Sequence, residues 1–101
     1  MSVDTFEASL HHAKPPEDWS SALQALWLDA NGQWDKAHSL VQVDEADRQC
    51  AWVHAYLHRK EGDLSNAAYW YRRFGHPVAT GSLTHERQLI AGSLLDCSPP
   101  E

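Results

Sequence analysis

Basic side chains are scarce in this chain. Eight lysines and arginines stand against fourteen aspartates and glutamates, a formal charge of −6 with histidine neutral. Phosphate backbones and anionic lipid surfaces are held through Lys and Arg, so this balance speaks against nucleic-acid and membrane-surface partners. Long apolar runs are missing as well: no stretch approaches the roughly 18 residues of a membrane-spanning helix. The opening MSVDTFEASLHH lacks the basic flank and apolar core of a secretory signal. Cysteine is limited to Cys50 and Cys97, and without an export signal the expectation is reduced thiols in the cytoplasm. Neither cysteine has a thiolate-stabilising neighbourhood in sequence, so a cysteine nucleophile has no support. Alternating β-branched runs with hairpin turns do not occur, which leaves an all-α fold.

What is present suits one small domain over residues 1–101, with 43% apolar residues and five tryptophans. Leu, Ile and Val are not abundant, so the core must be rich in aromatics. A short N-terminal helix in VDTFEASLHHA is stopped by KPPED. Asp18 is placed to cap a helix over about 19–31, where Trp19, Ala22, Leu23, Leu26 and Ala30 recur at three and four. Asn31 and Gly32 turn the chain, and Trp34, Ala37, Leu40 and Val41 continue it to about residue 42. Asp44 is placed to cap a third helix over about 45–60, apolar on nearly every side and therefore central. After EGD a fourth helix spans Leu64 to Phe74. A last helix, over about 82–95, opens at Ser82, and 96–101 reads as a tail. The expected architecture is two stacked antiparallel hairpins, 19–42 and 45–74, closed by the terminal helices.

The two hairpins read as an internal repeat. ALWLDANGQWDKAHSLVQ set over AYLHRKEGDLSNAAYWYR aligns Ala25 with Ala55, Gly32 with Gly62, Trp34 with Leu64, Ala37 with Ala67 and Val41 with Tyr71. This spacing resembles the tetratricopeptide repeat, whose helix pair has a small residue seven before the turn glycine and an alanine five after it. Ala25, Gly32, Trp34 and Ala37 match in one copy; Ala55, Gly62, Ala67 and Tyr71 match in the other. The copies lie 30 apart rather than 34, the early tryptophan is shifted to Trp52, and no proline closes either unit on schedule. The second copy also looks like a family of short bacterial and fungal proteins carrying H-A-x-L-H-R-x-E-x-D-x-x-N-A-x-Y-W. The resemblance implies stacked helical hairpins and no particular activity.

Counting back from Gly62 places His58 and His54 at positions four and eight before the turn, where the repeat puts large residues facing the partner helix. Leu28 and Gln24 take these places in the first copy. A buried imidazole needs partners for its ring nitrogens. One reading is a structural pair satisfied by its neighbours. Another is a ligand pocket drawn from His38, His54, His58, Glu61, Asn66, Tyr69 and Arg73. A third is a divalent transition-metal site on His54 and His58, because residues i and i+4 share a helix face, with His38, Asp47 or Glu61 as third ligand. Ala55 stands where a zinc protease motif needs glutamate, so that chemistry is excluded. No resident cofactor is required by any motif, and no catalytic constellation is evident. The leading expectation is a non-enzymatic module that binds a protein or peptide. Its face would carry Trp19, Leu26, Trp52, Tyr56 and Arg59, and surface tryptophans such as Trp19, Trp27 or Trp70 would support a homodimer.

Overall fold

The computed structural model describes residues 3–44, 46–75 and 77–96. Cys97 and the rest of the expected tail beyond Asp96 lie outside the described residues. Six helices follow one another: α1 (Val3–Ser9), α2 (Ser21–Ala30), α3 (Trp34–Gln42), α4 (Arg48–Glu61), α5 (Leu64–Phe74) and α6 (Leu83–Asp96). The described residues are all-helical, with α2 packed on α3 and α4 on α5 as two stacked hairpins.

Two helices begin later than their acidic residues suggest. Ser20, not Asp18, caps α2 by accepting the Leu23 N–H, and Trp19 is released to stack on Phe6 at 5.9 Å between ring centroids. Asp47, not Asp44, caps α4: its carboxylate accepts the Gln49 N–H and its carbonyl accepts that of Ala51 at 2.9 Å. Cap choice is settled by burial. Starting at Arg48 turns Cys50, Val53, His54 and Leu57 inward together. Ser82 opens α6 as expected, accepting the His85 N–H.

The two bends are the same construction 30 residues apart. The Gln33 N–H donates to the Leu28 carbonyl and the Asp63 N–H to that of His58, both at 2.9 Å. Gly32 and Gly62 supply the left-handed residue each bend requires, with φ of +81° and +93°. The small residues Ala51, Ala55 and Ala67 let α4 and α5 approach closely, with Trp70 and Tyr71 packed among them. At the open end of this hairpin the Arg48 guanidinium donates twice to the Phe74 carbonyl, at 3.1 and 2.8 Å, and lies over the Phe74 ring.

Helix α4 is central and touches α2, α3, α5 and α6. Helix α6 lies across α2 and α4 and buries Ile90, Ala91 and Leu94 in one cluster with Leu26, Trp27 and Tyr56, to which α1 adds Phe6. The surface expected to receive a peptide is therefore already covered. Leu26 and Tyr56 are buried, and Trp52 and Arg59 are bound to Glu86 of α6. With only two hairpins, the stack needs a terminal element to close its core, and α6 takes that place. The tryptophans expected on the surface are likewise packed. Trp27 and Trp70 are buried, Trp19 is half-buried, and the Trp27 indole donates to the Ser9 carbonyl.

Candidate metal centre

Three imidazoles meet at the seam between the hairpins. His38 comes from α3, and His54 and His58 from successive turns of α4. One donor nitrogen from each lies within 4.8 Å of the other two. His54 Nε2 and His38 Nε2 are 3.0 Å apart, so one N–H is shared between two rings. His58 Nδ1 is 2.7 Å from Glu61 Oε2, which directs its Nε2 away from the carboxylate. His54 and His58 are 2% and 6% exposed, and His54 Nδ1 is fully buried without a hydrogen-bond partner.

Tryptophans wall the site. Trp34 stacks on His38 with centroids 4.9 Å apart, while its indole N–H is fixed on the Leu57 carbonyl at 3.0 Å. Trp70 stacks on His54 at 4.0 Å. Burial, reinforced by His38 and then His58, lowers His54 to about 3, so this ring is neutral at physiological pH with a lone pair available.

The chemistry that fits is coordination of a borderline transition metal. Imidazole suits Zn, Cu, Ni and Fe, whereas Ca and Mg require oxygen ligands that the three rings do not supply. Zn–N bonds of 2.0–2.1 Å in tetrahedral geometry place donor nitrogens about 3.3 Å apart. The His38–His54 pair is near that edge already, and the third donor closes on it by about 1.5 Å or less, a side-chain adjustment. His58, Glu61 and Asp63 form a second group of suitable atoms. Both of its acids are exposed, and Asp63 is engaged as the α5 cap, accepting from the Asn66 backbone and amide.

Of the residues singled out in the sequence, the structure brings His38, His54, His58 and Glu61 together. It places Asn66, Tyr69 and Arg73 on the exposed side of α5, where Arg73 donates to the Tyr69 hydroxyl at 3.0 Å. Arg73 meets the site through Trp70, its guanidinium 5.1 Å from that ring centre. Asp47 is the α4 cap, two turns from the cluster, and accepts the Cys50 thiol. Trp34 read as an apolar position of its helix and Trp70 as a surface tryptophan, and their role as walls had no local signal. A second polar centre was also illegible. Glu86, 3% exposed, accepts from the Trp52 indole, the Arg59 guanidinium and the Tyr71 hydroxyl at 3.3, 2.8 and 2.5 Å. Burial and that bond push the Tyr71 hydroxyl up. All donor positions of that carboxylate network are internal, and it reads as the fastening of α6.

Comparison with known proteins finds no family model, no curated protein and no solved structure that matches this chain.

Proposed function

We propose that this protein binds one divalent transition-metal ion, zinc being the type case, through His38, His54 and His58, and that the ion joins its two hairpins. The observation that carries this reading is the meeting of three imidazole donors from two helices, walled by two tryptophans, two of the rings being buried. A structural histidine pair is ordinarily satisfied by acids, amides or carbonyls. Here His54 faces another imidazole and an aromatic wall. Breaking the His38–His54 bond costs about 1 kcal/mol, whereas structural zinc contributes roughly 10–16 kcal/mol in zinc-finger peptides. Coordination therefore outweighs the bond it replaces.

The test uses full-length protein prepared without a polyhistidine tag. Titration with Co(II) should give visible bands of tetrahedral nitrogen coordination that saturate at one ion per chain and are displaced by Zn(II). His38→Ala and His54→Ala should each abolish the bands. Wild-type protein that stays colourless with Co(II), and shows no heat of binding with Zn(II), sinks the reading. Zinc at a hundredfold its dissociation constant should stabilise the fold by about 2.7 kcal/mol. For a domain of this size that raises Tm by about 10–20 °C.

A further inference from the structure

We infer that Glu61 is the positioning residue of the centre, holding the His58 ring so that Nε2 presents its lone pair to the ion. The inference rests on the metal-binding reading above and names how the site is tuned. Three observations support it. First, Glu61 Oε2 lies 2.7 Å from His58 Nδ1, a separation that places the ring proton on that nitrogen and leaves Nε2 bare. Second, Glu61 is the last residue of α4, where a negative charge opposes the helix dipole, so helix stability does not account for an acid at this place. Third, His54 has no such support, since its Nδ1 is unpartnered. Within α4, His58 is therefore the ligand whose orientation is set by a carboxylate, whereas His54 is held by His38 and Trp70.

The geometry also explains why the acid sits here. Residues i and i+3 share a helix face, so a glutamate in the final turn reaches back to a histidine whose ring already points into the seam. Gly62 then turns the chain away, and the Glu61 side chain stays 38% exposed, in reach of water but outside the cluster. In known metal sites, loss of such a partner weakens binding by about 10–100-fold.

The experiment measures Co(II) and Zn(II) affinity for wild type, Glu61→Gln and Glu61→Ala. It also records long-range nitrogen–proton NMR of the His58 ring in metal-free protein. Glu61→Ala should lose about 10–100-fold in affinity, and its His58 ring should no longer show a single Nδ1–H tautomer. Glu61→Gln, which keeps a neutral acceptor, should recover most of the affinity and the tautomer. Its thermal stability without metal should match wild type. Equal affinity in wild type and Glu61→Ala overturns the inference while leaving the metal site standing. A glutamine variant as weak as alanine overturns it in favour of direct ligation by the carboxylate. Failure of wild type to bind either ion is the separate result that removes the site itself.

Discussion

Cys50 is fully buried one turn before His54. Its thiol donates to Asp47, and burial followed by that carboxylate pushes it up to about 12. The sign of its effect on stability follows from linkage. Between pH 9 and 12 the unfolded chain loses this proton while the folded chain keeps it, so stability falls as pH rises. The slope is at most about 1.4 kcal/mol per pH unit. Urea midpoints of wild type and Cys50→Ala compared from pH 8 to 10 should diverge above pH 9. In a Cys97→Ser background, alkylation of Cys50 at pH 8 should proceed only at the rate of unfolding, and fast labelling of the native protein would contradict its placement. His54 shows the same rule with opposite consequence. Burial holds a thiol protonated and inert, yet it holds the His54 imidazole neutral and able to donate.

Among the elements, the two bends offer a matched comparison. A Cβ added at Gly32 or Gly62 meets nothing within 4 Å, so alanine there is opposed by backbone conformation alone. Gly32→Ala and Gly62→Ala should each cost about 1–2 kcal/mol in denaturant titrations, and nearly the same amount, because they interrupt one construction used twice. A large difference between them would show that the bends are not equivalent. The same repetition made part of the site legible in the sequence. Gly62 lies four residues after His58 and eight after His54, and the resemblance to the tetratricopeptide repeat implies that both rings face a partner helix. The EGD turn and the apolar spacing after it gave α5 its bounds, Leu64–Phe74. Helix starts were less legible, since Asp18, Ser20, Asp44 and Asp47 are all competent caps and only tertiary burial selects among them. Tyr69 and Arg73 were drawn toward the pocket by residue type, but their positions on α5 face outward. Glu86 could not be anticipated at all. Its partners lie 15 to 34 residues away on other helices, and a glutamate in the first turn of a helix is ordinary in sequence.

For the molecule as a whole, α6 decides whether the stack has an open face. Ile90 and Leu94 are buried by it, each contributing about 1.5–3 kcal/mol, and Glu86 binds three donors from α4 and α5. Glu86→Ala removes the acceptor of the Trp52 indole, the Tyr71 hydroxyl and one Arg59 nitrogen, leaving the guanidinium only the Gly81 carbonyl, so it should cost about 3–5 kcal/mol. Glu86→Gln should cost less. Thermal unfolding followed by circular dichroism separates the two, and an alanine variant as stable as wild type would show that α6 is not fastened there. The hairpin of α4 and α5 is secured differently. Covalently it is joined through Gly62, and at its far end Arg48 grips the last carbonyl of α5. A protease cut at the exposed Gly62 turn would then leave two pieces still clasped, and fragments ending and beginning there should find each other again when mixed.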